Sequence, residues 1–298
     1  MIDYVKISLL EIDVDRLKSL PYLTFYREIA PNTGEYHNKM VAKYHYCKIT
    51  IHDSGTILFS GSIHKLYNSL NNIKAPNYSN KKLYRGFNGN QFNLNNILET
   101  RTHLASLFDC QPQQMIFRNI EFGINTEPKF KPTLFIKGLL RHKGKSFEYR
   151  HDNNFAQAKH QNLIFKIYDK GTQYKMNTET LRIELKYLRM AEVIKFGIKT
   201  FEDINKHTLC NAKERLLKRF ASILYYDNTI NNKALSGRQK LAIIKYSNRV
   251  YWSDLKSNHI DREKKRLNNI INDFSDKLKE QLSIEIINKF DKTIFQSV

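Results

Sequence analysis

Three residues in a row, Tyr168-Asp169-Lys170, close a run of β-branched and aromatic residues, and two further such runs carry Glu121 and Glu184. A tyrosine can attack a phosphodiester and keep the phosphate as a covalent phosphotyrosine. Its phenol ordinarily titrates at about 10, so the attack needs help with the proton. A divalent cation can polarise the phosphate and lower the barrier. Mg²⁺ or Mn²⁺ prefers oxygen ligands, which Glu121 and Glu184 could supply. Lys170 could neutralise charge that grows on the phosphate oxygens. The chain has 17 tyrosines, and a tyrosine at a strand end serves packing as readily as chemistry. Spacing alone leaves both readings open.

The ten histidines offer less. None stands in a His-hydrophobe-His triplet or in an HExxH, and scattered histidines are commonly surface or hydrogen-bonded core residues. His52 and His64 flank a hairpin and are secondary candidates. The chain has no P-loop, which argues against ATP use.

Positioning these residues is a task for strands. In 115–126, MIFRNIEFGINT, a period of two separates Ile116, Arg118, Ile120, Phe122 and Ile124 from Phe117, Asn119, Glu121 and Gly123. In 162–169, NLIFKIYD, Leu163, Phe165 and Ile167 form an apolar set opposite Ile164, Lys166 and Tyr168. In 181–187, LRIELKY, Leu181, Ile183, Leu185 and Tyr187 lie opposite Arg182, Glu184 and Lys186. If the three are neighbours in one sheet, the face away from the core gathers Glu121, Tyr168 and Glu184. Strict alternation turns Asp169 to the apolar side.

Elsewhere, 2–10 reads as a strand, with a helical stretch after Asp13. Residues 44–52, the turn Asp53-Ser54-Gly55 and 56–61 read as a hairpin. The Asn-rich stretch 66–91 reads as loop, and 93–108 as a helix capped by Asn93. Residues 132–142 can form a basic helix opened by Pro132. Gly197 ends one helix and Thr200 caps the next. Past Phe201 the pattern is helical, with pieces at 213–225, 237–246 and 261–290. The expected fold is α+β: a central, mainly antiparallel β-sheet nuclease core with flanking helices and a helix-rich C-terminal region. The expected division is a catalytic domain over 1–200 and a helical DNA-binding or accessory region over 201–298.

Charge narrows the partner. The 298 residues carry 49 Lys+Arg against 29 Asp+Glu, a net charge of +20. The excess is spread, with 30 basic against 17 acidic residues up to 200 and 19 against 12 beyond. The densest patch, 129–150, includes Lys129, Lys131, Lys137, Arg141, Lys143 and Lys145. An extended basic surface meets a phosphate backbone at many points, and each contact releases counterions. Nucleic acid therefore outranks a membrane as partner. Tyr84 and Phe87 beside Lys81, Lys82 and Arg85 would suit base stacking with backbone neutralisation.

Other classes fall away. At 41% hydrophobic content the chain can build a core, and no apolar run has the length of a membrane span. Residues 1–6 lack the pattern of a signal peptide. Cys47, Cys110 and Cys210 fit neither a disulfide framework nor a CxxC zinc site. A reducing, cytoplasmic interior is the expected setting.

In order, several short motifs resemble one family. Met1-Ile2-Asp3 opens the match. The hairpin 51–68, IHDSGTILFSGSIHKLYN, follows with its polar-Gly turn, Ser-Gly-Ser and His-Lys. Next come Asn119-Ile120-Glu121-Phe122, then Phe165-Lys166-Ile167-Tyr168-Asp169-Lys170. Leu181-Arg182-Ile183-Glu184-Leu185-Lys186 follows, then Lys195-Phe196-Gly197-Ile198 and Phe201-Glu202-Asp203. Together they cover about two-thirds of the chain. They resemble the gene II/X family of phage and plasmid replication proteins, the rolling-circle initiators of filamentous phages and related plasmids.

That resemblance implies a site-specific, strand-nicking endonuclease and strand transferase. It makes Tyr168 the nucleophile and Lys170 its phosphate-stabilising partner. Glu121 and Glu184 become ligands of Mg²⁺ or Mn²⁺, with Asp169 and a second tyrosine, Tyr174, as secondary candidates. The implied partners are origin DNA, single-stranded or supercoiled duplex, and the host helicase and polymerase. Two other readings use the same residues: a basic module that binds DNA or RNA without cutting it, and a tyrosine transposase or mobilisation relaxase.

Overall fold

The computed structural model describes residues 1–79 and 85–295. In chain order the elements are β1 (Ile2–Leu9), α1 (Val14–Ser19), β2 (Lys39–Tyr44), β3 (Cys47–His52), β4 (Ile57–Ser62), α2 (Ile63–Leu70), α3 (Leu94–Phe108) and β5 (Met115–Thr126). Then come α4 (Pro132–Lys137), β6 (Leu139–His142), β7 (Lys145–Ser146), β8 (Glu148–Arg150), β9 (Phe155–Lys159), β10 (Leu163–Asp169), α5 (Lys170–Tyr174), β11 (Leu181–Tyr187) and α6 (Ala191–Ile194). The last are α7 (Lys206–Ala221), β12 (Ile223–Tyr225), α8 (Gly237–Ser247), α9 (Arg249–Asp254), α10 (Ser257–Phe274) and α11 (Leu278–Phe295). The fold is α+β. One sheet has the order β2-β3-β4-β1-β5-β11-β10-β9-β8, and a smaller one the order β12-β6-β7.

The chain forms two compact units, residues 1–123, 185–213 and 290–298, and residues 124–184 and 214–289. The boundaries fall inside β5 and β11, so each of those strands has residues in both.

In the first unit, β2, β3, β4, β1 and β5 pair antiparallel in that order. Val5, Ile7, Ile49, Ile57 and Phe59 are buried. α3 buries Ile97, Leu104 and Phe108, and Phe108 packs edge-on against Phe59 with ring centroids 5.8 Å apart. The hairpin motif has a steric basis. Gly61 sits at φ +153 opposite Cys47, and a Cβ there would lie 2.5 Å from the Cys47 Sγ. Only glycine lets β4 approach so closely. Ser62 then caps α2, its hydroxyl accepting from the Lys65 N–H at 3.1 Å. Burial pushes the Cys47 thiol well above its ordinary titration range, so it is a packing residue.

In the second unit, β10, β9 and β8 pair antiparallel, as do β12, β6 and β7. Leu140 and Leu224 enter a core with Ile243, Trp252, Leu267 and Ile270. Trp252 is fully buried and its indole N–H donates to the Tyr246 carbonyl at 2.8 Å.

Four expected elements differ. The helix over 132–142 stops at Lys137, because Gly138 runs so close to the backbone of Tyr226 that a Cβ would meet that carbonyl at 2.1 Å. Leu139–His142 then pairs with β12. The helix expected over 213–225 ends at Ala221, where the buried apolar run Ile223–Tyr225 becomes that strand. The single helix over 261–290 is two, since Asp227 accepts from the Leu278 N–H at 2.8 Å and Thr229 from the Asp276 N–H at 2.9 Å, starting α11 afresh. The stretch 66–91 opens as helix, the end of α2. Trp252→Ala should cost roughly 3–5 kcal/mol of stability in urea denaturation, the range for emptying a large aromatic site.

A second expectation concerns acid. His142 is buried, its Nδ1 2.8 Å from the His160 Nε2. Burial, then the neighbouring His160, push its pKa down to about 3. The unfolded chain takes up a proton as pH falls below about 6.5, and the folded chain does not until near the depressed value. Stability should therefore fall between these two pH values. His142→Gln should flatten that slope in denaturant melts taken across the range.

Candidate active site

Tyr168 is half-buried near the end of β10, and its hydroxyl donates to the Glu184 carboxylate at 3.3 Å. Glu184 is buried on β11. It also receives the Arg182 Nε at 2.6 Å and the Lys166 ammonium at 2.9 Å. Arg182 is anchored in turn to the Asn125 side-chain carbonyl at 2.9 Å. Tyr168 and Lys166 alternate on β10 as their spacing predicts, so both reach the same carboxylate. Buried charge of this kind persists only when paired and hydrogen-bonded.

Lys170, the first residue of α5, is 2% exposed. Its ammonium lies 5.0 Å from the ring centroids of both Tyr168 and Tyr174. The cation therefore sits over two phenol rings. Asp169 is buried and caps α5, accepting from the Thr172 N–H and the Thr172 hydroxyl, both at 2.8 Å. That bonding accounts for it structurally.

Glu121 is buried on β5 and pairs with the Lys186 ammonium at 2.7 Å. Lys186 also lies over the Tyr4 ring, 4.3 Å from its centroid. Asp3, on β1, is buried and accepts from the Ser62 hydroxyl and from the Asn88 amide at 2.6 Å. Asp3 and Glu121 are buried in the first unit and Glu184 in the second, and each offers a carboxylate oxygen. The three stand on β1, β5 and β11, successive strands of the sheet. Asp3 is the ligand candidate that sequence reading missed. It was visible as the start of the motif series, but only the strand order reveals its company.

Three carboxylate oxygens are hard donors of the kind Mg²⁺ or Mn²⁺ takes. Asn119, two residues before Glu121 on β5, has a buried side-chain carbonyl oxygen with no partner. The donor set fits such an ion. The charges qualify the fit, because Lys186, Lys166 and Arg182 already face the acids. An entering dication meets less repulsion when a phosphate comes with it or when a lysine swings out. The side chains of Lys166 and Lys186 are 17% and 24% exposed and have somewhere to go, whereas Arg182 at 2% does not.

His64 is buried, its Nε2 2.8 Å from the Asn90 side-chain carbonyl and its ring stacked on Phe92. His52 is half-buried at the end of β3. Neither joins the acidic group. Lys129, Lys131, Lys137, Lys143 and Lys145 are exposed. Arg141 is engaged, donating to the Trp252 carbonyl and, at 2.6 Å, to that of Gly144. Arg85 is exposed, and Lys81 and Lys82 lie outside the described residues. A basic row absent from the sequence reading emerges from strand register. Lys43 faces Lys48, Lys48 faces Ser60, Ser60 faces Lys6, and Lys6 faces Asn119.

No protein-family model matches the chain, and no curated protein matches it. Among solved structures, a rolling circle replication initiator protein from Geobacillus stearothermophilus is similar at a TM-score of 0.40 and 11% sequence identity, over 80% of this chain and 89% of that one. A likeness this slight adds no weight to the assignment of the site.

Mn²⁺ binding followed by electron paramagnetic resonance should separate the roles of acid and lysine. Glu121→Gln should weaken binding by about tenfold or more. Lys186→Met, which frees a Glu121 oxygen and removes a competing charge, should tighten it.

Proposed function

We propose that the protein is a rolling-circle replication initiator, which nicks and rejoins origin DNA through a covalent 5′-phosphotyrosine on Tyr168. The observation that carries this is the hydrogen bond from the Tyr168 hydroxyl to Glu184, with the Lys170 ammonium beside the same ring. A packing tyrosine needs neither.

In this reading Tyr168 Oη attacks the scissile phosphorus and its proton passes to the Glu184 carboxylate. The bond from phosphorus to the 3′-oxygen breaks, and that oxygen takes up a proton to leave as a 3′-OH. Lys170 offsets the phenolate charge before attack and the phosphoryl charge during it. Arg182 and Lys166 hold Glu184 in place. A divalent ion held by Asp3, Glu121 and Glu184 would supply Lewis-acid polarisation of the phosphate when bound. Rejoining reverses the transfer, and Tyr174, buried with its ring equally close to Lys170, would serve a second one.

The basic residues supply grip. Lys6, Lys43 and Lys48 lie on the row that ends at Asn119, one alternation from Glu121, while Lys129, Lys131, Lys137, Lys143 and Lys145 extend the positive surface elsewhere. In the proposed division, residues 1–200 carry the chemistry and 201–298 aid the hold on duplex origin DNA. The host helicase and polymerase would use the opened strand and its 3′-OH. No helix among the described residues is long and apolar enough to cross a membrane.

Truncation is a poor test of that division. Removing 237–298 would strip Ile243, Trp252 and Leu267 from a core that also holds Leu140 and Leu224. Point substitution is cleaner. With a labelled single-stranded origin oligonucleotide and Mn²⁺, the wild type should give an adduct that survives SDS. Tyr168→Phe should abolish the adduct and leave binding nearly intact. Lys170→Met should slow its formation by roughly 10²–10³-fold, the scale for losing one stabilising group at a reacting phosphate. An adduct that persists in Tyr168→Phe removes the nucleophile. A wild type that binds but never forms one favours the non-cutting DNA-binding module.

A further inference from the structure

The second unit holds a cavity of about 420 Å³ between the β12 segment, α10 and the start of α11, within the size range of small-ligand sites. One wall is a stripe of α10. Lys264, Asn268 and Asn272 recur every fourth residue and so share a face. They lie beside the apolar residues Leu267, Ile270 and Ile271, and they line the cavity with Asn268 and Asn272 still exposed.

Facing them are Lys277 and Lys279 from the start of α11, together with Glu280. Lys279 donates to the carbonyls of Ala221 and Ile223 at 2.8 and 2.7 Å, satisfying the end of α7. That use leaves one N–H and a full positive charge. Among the described residues none of the three lysines has a carboxylate within ion-pair distance. Burial, then the neighbouring Lys264, lower the Lys279 pKa to about 8. The fold thus gathers three cations around a cavity whose one lining carboxylate, Glu280, pairs with none of them. The remaining wall is apolar, with Phe220, Ile223 and Ile271.

We propose that this cavity binds a nucleoside monophosphate unit, with its phosphate on Lys264, Lys277 and Lys279 and its base between the apolar wall and Asn268 and Asn272. A phosphate supplies the missing negative charge, and lysine ammoniums bind it as point charges. A base supplies a flat apolar face for Ile223 and Ile271. Its edge offers donors and acceptors that a side-chain amide can match in pairs. Glu280 repels phosphate, which sets the phosphate on the lysine side and leaves the carboxylate to accept from the sugar hydroxyl. The unit can come from a free nucleotide or from a nucleotide turned out of a DNA strand.

Binding can be measured on the full chain by titration calorimetry with dAMP, with inorganic phosphate as a second ligand. No cleavage is involved, so the outcome is independent of the role of Tyr168. The expected result is saturable dAMP binding that phosphate alone matches only weakly. The double variant Lys264→Gln, Lys277→Gln should lose at least about tenfold in affinity. Asn268→Ala with Asn272→Ala should alter the ranking of dAMP, dGMP, dCMP and TMP while leaving phosphate binding unchanged. Unaltered thermal melts would show that these variants fold. Competition by an oligonucleotide, lost when one base is removed, assigns the unit to DNA; absence of competition assigns it to free nucleotide. No saturable dAMP binding, binding indifferent to both double variants, or phosphate binding as tightly as dAMP would each overturn the proposal.

Discussion

Burying a carboxylate is expensive, and this protein buries three, Asp3, Glu121 and Glu184. Each must be compensated where it stands. Glu184 is compensated by Arg182 and Lys166, Glu121 by Lys186, and Asp3 by neutral donors from Ser62 and Asn88. Much of the local structure follows from this. Arg182 is fully buried because Glu184 is, and it needs Asn125 in turn. The Gly61 approach lets β4 end with Ser62 beside Asp3. Motifs that look unrelated in sequence, Ser-Gly-Ser and Arg-Ile-Glu among them, each compensate a buried acid.

The same arrangement shapes the chemistry. Glu184 stays accessible to Tyr168 while its position is fixed by cations on either side. Lys170 is held in α5 by a cap from Asp169, so the residue after the proposed nucleophile does structural work for the lysine proposed to stabilise charge. The acids are neutralised by side chains of unequal freedom. Arg182 is locked, and the two lysines reach partly into solvent. A dication and a phosphodiester entering together add one positive charge, which one of the two lysines removes by turning outward.

Strand periodicity made much of this legible. Alternation placed Glu121, Tyr168 and Glu184 on the polar sides of their strands, and the turn at Asp53-Ser54-Gly55 marked its hairpin. What alternation cannot give is adjacency between strands distant in sequence. Asp3 and the row Lys43, Lys48, Lys6 depend on pairing, so they emerge only from the fold. The helix boundaries at Gly138 and Leu278 were hidden for a related reason. Each is set by a contact from 226–229, almost ninety residues on in one case and fifty back in the other, while the local periodicity runs on undisturbed. β8 and β9 are short and carry polar or alanine residues, which have little intrinsic strand preference.

The central claim is that Tyr168, held against Glu184, becomes covalently bonded to DNA. Mass spectrometry of a protease digest of protein trapped with a single-stranded origin oligonucleotide tests it most directly. The account predicts that the peptide containing Tyr168 carries the added mass of a nucleotide joined through its 5′-phosphate to the phenol oxygen. The same mass on another residue, or a link through a 3′-phosphate, would contradict it.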